Sequence, residues 1–229
     1  NLDPIGGSIQ FSEGFSSWVS KFIGSTSKEP VIDKKNISKI LTSELINYDL
    51  FINDWLDKKL FGKNLISEPA LARLLPRLVP NSIPVMLASS SPIRDWLSYS
   101  GQGAFERRCF GFRGASGIDG TLSIGMGLSI ILGRMILVTG DLALFHDTNG
   151  WLFSKDKNIS LIVIMIDNGG GGIFNQLNID RIQEGDFEEI FLMPQRVCPL
   201  TLAKAYGIKY RQVACLDDLE QAIEWSFSL

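Results

Sequence analysis

Two near-continuous apolar runs, residues 135–139 and 159–166, each end directly on a polar element that contains glycine. Gly140-Asp141 follows the first, and Asp167-Asn168 with four glycines follows the second. Apolar runs without alternation mark strands buried on both faces, which is the situation of parallel strands. Parallel neighbours need a crossover, normally a helix. Helical patterns stand on both sides of these runs. The expected fold class is therefore α/β, a mostly parallel sheet with helices on both faces. In such sheets ligands sit beyond the carboxyl ends of the strands.

The rest of the chain fits that alternation. Within 33–60, Ile37, Ile40, Leu41 and Leu45, then Trp55, Leu56 and Leu60, recur at helical spacing. Ser67 before Glu68-Pro69 and the run Leu71, Leu74, Leu75, Leu78 is a helix start, and Pro80 is its stop. The pattern then predicts a strand over 84–88, a serine-rich turn, a weaker strand over 108–111 and a glycine-rich turn. A helix over 121–132 and the strand 135–139 come next. A helix over 142–153, the strand 159–166, a helix over 200–206, a strand over 209–213 and a helix over 216–227 complete the series. Residues 1–30, rich in Gly, Ser and Pro and without a period, read as a linker or the tail of a preceding domain, leaving 31–229 as the main domain. No initiator Met is present and the last residues sit inside a helical pattern, so the chain reads as a fragment at both ends.

Composition excludes several classes. A chain of 229 residues buries enough surface for a core without staples. A net charge of −3 with interspersed signs gives no nucleic-acid surface. The short stretch at Arg107 and Arg108 is too small to make one and reads as the start of a strand. No apolar run reaches the length of a membrane span. Cys109, Cys198 and Cys215 are far apart and odd in number, and read as reduced thiols of a cytoplasmic compartment, or a plastid stroma in a plant or alga. With His146 the only histidine, a zinc site is not expected, and His146 itself reads as a surface or satisfied core residue.

The two strand ends carry the chemistry. Asp141 offers a carboxylate and Asn168 an amide oxygen at the same sheet edge, and glycines let backbone groups approach a ligand. Mg²⁺ takes oxygen ligands from one or two such groups plus phosphate oxygens and water. The helix opening after Asp141 offers N–H groups to phosphate. Each piece alone reads as a plain cap or a flexible turn. Together they favour a phosphate–metal site. A dinucleotide fold fits less well, because no Gly-x-Gly-x-x-Gly follows any strand.

These residues resemble the Gly-Asp-Gly…Asn-Asn signature of thiamine diphosphate enzymes, with Leu142 in place of the last Gly and Asp167 in place of the first Asn. The stretches Gly140-Asp141-Leu142-Ala143-Leu144-Phe145-His146-Asp147 and Phe112-Arg113-Gly114-Ala115-Ser116-Gly117-Ile118-Asp119-Gly120 are similar to the 2-succinyl-5-enolpyruvyl-6-hydroxy-3-cyclohexene-1-carboxylate synthases of menaquinone and phylloquinone biosynthesis. Ser90-Ser91-Pro92-Ile93-Arg94-Asp95 and Gly171-Gly172-Ile173-Phe174 fit the same family. The resemblance is dense from Ser67 to Phe174 and thinner beyond.

The resemblance implies the diphosphate-binding (PP-type) domain of a thiamine diphosphate fold. It implies decarboxylation of 2-oxoglutarate and conjugate addition of the resulting succinyl carbanion to isochorismate. Asp141, the Asn168 side chain and the Gly170 carbonyl would ligate Mg²⁺, or Mn²⁺ in its place. Gly140, Leu142 and Ala143 would lie at the diphosphate, and Ile118 would prop the cofactor into its bent form. By its residue type alone, Ile118 would read as core. Arg94 and Arg113 would take substrate carboxylates through bidentate forks, as the planar guanidinium suits. Ser90 would add a hydroxyl to cofactor or substrate. Ile173, Phe174 and Leu177 would form an apolar wall, Ile173 also touching the cofactor, although a helix stripe of core residues reads the same way. The activating Glu would come from an N-terminal pyrimidine-binding domain outside this chain, and complete sites would form between subunits of a homodimer or homotetramer. Two rivals remain. One is another thiamine diphosphate enzyme, such as an acetohydroxyacid synthase or a pyruvate decarboxylase. The other is a non-catalytic module that binds Mg-diphosphate.

Overall fold

The computed structural model describes residues 34–104, 106–112, 114–156, 158–176 and 184–229. The linker expected over 1–30 lies outside them. The chain divides into two compact units, Asn1–Asp57 and Lys58–Leu229. Helix α1, Lys34–Phe61, begins in the first unit and ends in the second. Its middle carries exposed Leu45, Ile46, Phe51 and Trp55.

The second unit holds a four-stranded, all-parallel sheet in the order β2-β1-β3-β4. The strands are β1 (Val85–Leu87), β2 (Cys109–Gly111), β3 (Met135–Gly140) and β4 (Leu161–Ile166). The longest pairing is β3 with β4, in register from Met135↔Leu161 to Gly140↔Ile166. Among the described residues, six helices pack against or cap this sheet: α2 (Glu68–Leu78), α3 (Ser91–Tyr99), α4 (Thr121–Leu132), α5 (Asp141–His146), α6 (Pro199–Ala205) and α7 (Leu216–Phe227).

Alternate residues of each strand feed two separate cores, one on each face. Val85, Leu87, Ile136 and Val138 pack with Leu71 and Leu75 of α2, Ile93 and Trp96 of α3, and Leu219 and Ile223 of α7. Met86, Met135 and Leu137 pack with Leu122 and Met126 of α4, Leu144 of α5, Trp151, and Ala203 of α6. Each fully buried aliphatic side chain of this kind contributes roughly 1.5–3 kcal/mol relative to exposure. The expected α/β class, with helices on both faces, is the observed one. β4 is half-exposed along its length, as befits the last strand of the described sheet.

Local sequence explains the boundaries. The Ser67 hydroxyl accepts from Ala70 N at the start of α2, with Pro69 in the first turn. At its end Val79 is extended, as the residue before Pro80 must be. Three expectations are corrected. The serine-rich stretch after β1 is only the entrance to a nine-residue helix, α3, with Pro92 near its start and Ile93 and Trp96 on its buried side. The helix expected over 142–153 breaks after His146 and continues as a 3-10 turn, Thr148–Phe153. Asp147 causes the break: its carboxylate accepts from Ser123 N at 2.7 Å and Ser123 Oγ at 3.0 Å, at the start of α4. The strand expected over 209–213 does not form; Lys209, Tyr210, Arg211 and Gln212 are all exposed and no buried face is available to order them.

One buried cation fastens the approach to β1 and β2. Arg107 is 5% exposed. Its guanidinium donates to the carbonyls of Pro76, Val79, Pro80 and Ile83 and to Asn81 Oδ1, at 2.6–3.1 Å. Those carbonyls belong to the end of α2 and the loop into β1, so the terminal N–H groups of the fork close the turn that Pro80 opens, while Nε has no partner among the described residues. Burial lowers the affinity of Arg107 for its proton. Replacing Arg107 by Met is expected to lower stability by about 3 kcal/mol or more, since each buried carbonyl left without a donor costs roughly 1–3 kcal/mol. The check is the midpoint of thermal or denaturant unfolding, with an unchanged midpoint refuting the role.

Candidate functional site

The carboxyl ends of β3 and β4 deliver the two polar elements to one edge, because their register ends on Gly140↔Ile166. Asp141 follows β3 directly and is 3% exposed. Its Oδ1 accepts from Leu142 N and its Oδ2 from Gly170 N, both at 2.7 Å. Burial pushes its carboxyl above the usual range; the two backbone N–H groups oppose that, and the like charge of Asp167 adds to it. Among the described residues no cationic side chain adds to this balance. The Leu142 N–H in the first turn of α5 is already taken by Asp141, which corrects the expectation that it stands free for phosphate.

The glycine run is shaped by its neighbours. Gly170 has φ +118°, and a Cβ there would run into the Leu192 carbonyl. Gly171 N donates to that same carbonyl at 2.6 Å. The segment it meets, a helical turn Glu184–Phe187 continuing as a π turn Glu188–Leu192, had no signal in the sequence pattern. The Gly170 carbonyl accepts from Gly172 N at 2.9 Å and keeps a second lone pair. Asn168 is exposed, and its Nδ2 donates to Glu68 Oε1 at 2.6 Å. That leaves its Oδ1 at the opposite end of the planar amide. Glu68 is the first residue of α2, and no motif pointed to it.

These groups suit a hard divalent cation. A buried carboxylate, an amide oxygen and a backbone carbonyl are oxygen donors of the kind Mg²⁺ takes, with phosphate and water completing the shell. Among the described residues no group of three or more His, Cys, Asp or Glu side chains is placed to hold a metal by itself.

The family model described as "Thiamine pyrophosphate enzyme, C-terminal TPP binding domain" matches residues 94–228. The chain belongs to the thiamine pyrophosphate enzymes. Across all 229 residues it is 83% identical to a curated 2-succinyl-5-enolpyruvyl-6-hydroxy-3-cyclohexene-1-carboxylate synthase of Prochlorococcus marinus (strain NATL1A), covering 38% of that protein. A relative of the same name in P. marinus (strain MIT 9313) is 50% identical over 228 residues, covering 98% of the chain and 38% of the relative. The chain therefore spans little more than a third of the length of the curated relatives it matches. The crystal structure of benzoylformate decarboxylase from Polynucleobacter necessarius superposes with a TM-score of 0.54 at 20% identity, over 71% of this chain and 31% of that one, which shows the fold.

In this thiamine pyrophosphate-binding domain the other expected site residues fall as follows. Ser90 stands between β1 and α3 with φ +77°, a strained backbone for a serine. Arg94 is exposed on the first turn of α3. Ile118 is half-buried in the turn before α4, and its carbonyl accepts from Thr121 Oγ1 at 3.0 Å. Gly140 ends β3 and is the N-cap of α5, with Leu142 half-buried and Ala143 buried. Ile173 and Phe174 lie half-buried on a 3-10 turn, Gly172–Gln176, where Phe174 meets Phe191 edge-on at 5.4 Å and Phe191 stacks on Phe187. Arg113 and Leu177 lie outside the described residues. His146 is exposed.

Two outcomes are expected. In the full-length protein, Asp141→Asn removes the charge and one of two acceptors. It should weaken Mg²⁺-dependent binding of thiamine diphosphate more than about tenfold. It should also cost roughly 1–3 kcal/mol, because either Leu142 N or Gly170 N loses its partner. Calorimetry and melting on the same sample separate the two effects, and unchanged affinity refutes the site. The second outcome concerns Asp95, whose carboxyl is pushed up to about 6 by burial, then by the charge of Glu68 and a hydrogen bond to it. A carboxyl raised in the folded state favours folding most at low pH, and that contribution is lost as pH rises from about 4 through about 6. Asp95→Asn should thus raise the melting temperature at pH 7.5, with the gain shrinking to nothing near pH 4. A gain that is the same at both pH values contradicts the shift.

Proposed function

We propose that this chain is the diphosphate- and Mg²⁺-binding part of a 2-succinyl-5-enolpyruvyl-6-hydroxy-3-cyclohexene-1-carboxylate synthase of menaquinone or phylloquinone biosynthesis. The reaction is decarboxylation of 2-oxoglutarate and addition of the succinyl unit to isochorismate. The observation that carries the reading is the buried Asp141 carboxylate, held at a parallel sheet edge by backbone N–H groups alone, in a chain 83% identical throughout to a protein of that name.

When bound, thiamine diphosphate would supply the electron-sink chemistry of keto-acid decarboxylation. The residues of this chain bind and orient. Asp141, Asn168 and the Gly170 carbonyl hold Mg²⁺, and Mn²⁺ has the same ligand preference for oxygen. Gly140, Leu142 and Ala143 line the diphosphate, and Ile118 and Ile173 support the ring system. Arg94 and Arg113 take the carboxylates of the two substrates, Ser90 offers its hydroxyl, and Ile173, Phe174 and Leu177 exclude water beside the carbon skeleton. The activating Glu and a pyrimidine-binding domain would come from sequence outside this chain, and a second subunit would complete the site.

The test is an assay of the full-length protein with 2-oxoglutarate or pyruvate as donor and isochorismate as acceptor. Consumption of 2-oxoglutarate that depends on isochorismate is expected. Turnover of pyruvate in its place would move the protein to another thiamine diphosphate enzyme, and no turnover with cofactor bound would favour a binding module. Within the same assay, Arg94→Lys should lower kcat/KM about tenfold, the worth of a charge-assisted hydrogen bond of roughly 1.5–3 kcal/mol, while cofactor affinity stays unchanged.

A further inference from the structure

Asn168 is exposed, yet its amide is gripped on its nitrogen side. Nδ2 donates to Glu68 Oε1 at 2.6 Å, from a residue one hundred positions earlier in the chain. On the other side stands the backbone of Gly172, where a Cβ would lie 2.7 Å from the same Nδ2. Glu68 is itself held. It opens α2 directly after the Ser67 cap, where a carboxylate is favoured by the helix N-terminus. The Asp95 carboxyl on α3 is hydrogen-bonded to it. Glu68 and Asp95 also share the lining of a small recess with Leu71, Trp96, Val138 and Ile166, so the carboxylate is backed by packed core.

An amide is planar, with its two N–H donors and its oxygen at opposite ends. Pinning the nitrogen end fixes where the oxygen faces. We infer that Glu68 is a positioning residue, whose hydrogen bond to Nδ2 sets the Asn168 amide so that Oδ1 is presented to the divalent cation. This rests on the reading of Asn168 as a metal ligand given above. Partners that orient a ligand from behind ordinarily change metal affinity ten- to hundredfold when removed.

The experiment uses the full-length protein and reads the Mg²⁺ concentration at half-saturation of thiamine diphosphate binding, by calorimetry. Glu68→Asp keeps the charge at the start of α2 but withdraws the oxygen by one methylene. Glu68→Gln gives up the charge but keeps an oxygen that accepts from Nδ2. Glu68→Asp is expected to raise the required Mg²⁺ about tenfold, and Glu68→Gln to stay close to the native value. Asn168→Ala is expected to raise it at least as far as Glu68→Asp, and adding Glu68→Asp to Asn168→Ala should change nothing further. If Asn168→Ala leaves the Mg²⁺ requirement unchanged, the metal reading of Asn168 fails. If Asn168→Ala raises it and Glu68→Asp does not, the metal reading stands and the positioning role is overturned. The role is equally overturned if Glu68→Gln is as impaired as Glu68→Asp, because charge and not orientation is then the cause, or if the effects of Glu68→Asp and Asn168→Ala add independently.

Discussion

The buried carboxylate of Asp141 is the constraint on which the ligand edge of this domain depends. One oxygen closes the first N–H of α5 and the other reaches across to Gly170 N, in the turn after the neighbouring strand. The strand register makes that reach possible, since β3 and β4 end side by side. From Gly170 the tie continues outward. Its positive φ lets the chain pass tight against the Leu192 carbonyl, to which Gly171 N then bonds. Burying a charge in this way is unfavourable, and burial raises the carboxyl's affinity for a proton. A fold that keeps such a group in place, tied by backbone N–H groups beside the like charge of Asp167, departs from what stability alone selects. Departures of that kind concentrate at functional sites.

Much of this was legible in the sequence because the informative signals are local. Gly140-Asp141 and Asn168 with its glycines lie immediately after apolar runs, and a strand followed by a polar turn puts its polar residues at the strand's carboxyl end whatever else the chain does. The α2 cap at Ser67 and the stop at Pro80 are equally local. What the sequence hid depends on partners far along the chain. Glu68 has no mark that distinguishes it from any acidic residue in a first helical turn; only the folded chain brings it to Asn168. Asp147 looked like one more polar residue on a long helix, and it ends that helix because it bonds Ser123. Arg107 looked like half of a short basic patch, and its role appears only with the five acceptors of the α2–β1 loop around it. The stretch 209–213 shows the converse: an apolar-flanked run without a buried face to occupy has no reason to stay a strand.

The two helices that flank β1 have a common purpose. α2 and α3 share the core beneath the sheet through Leu71, Leu75, Ile93 and Trp96. Arg73 of α2 also donates to the Tyr99 carbonyl at the end of α3, at 3.1 Å. At their other ends they carry Glu68 and Arg94. The packing that stabilises the domain is thus the same packing that places Glu68 against Asn168 beyond the end of β4. A core substitution under α2 or α3 would be felt at the site as a displacement, not only as lost stability.

The charges collected at this edge bear on how it can hold an anion. Asp141 and Asp167 follow the ends of adjacent strands, and Glu68 and Asp95 stand behind Asn168. Two like charges about 4 Å apart repel by roughly 4 kcal/mol at the effective dielectric of a partly exposed site. A diphosphate approaching this group of carboxyls unaccompanied would meet that repulsion with only short-range N–H dipoles to oppose it, and Asp141 has already taken the foremost of those. On the proposed reading, the metal is therefore more than a bridge between ligand and protein. It reverses the sign of the local field and makes the same surface attractive to phosphate oxygens. Cation and diphosphate then bind as one unit, each creating the conditions the other requires. That is the reason for a site with a single buried carboxylate and an oriented amide: a second carboxylate ligand in place of Asn168 would hold the cation more tightly but leave less positive charge for the diphosphate.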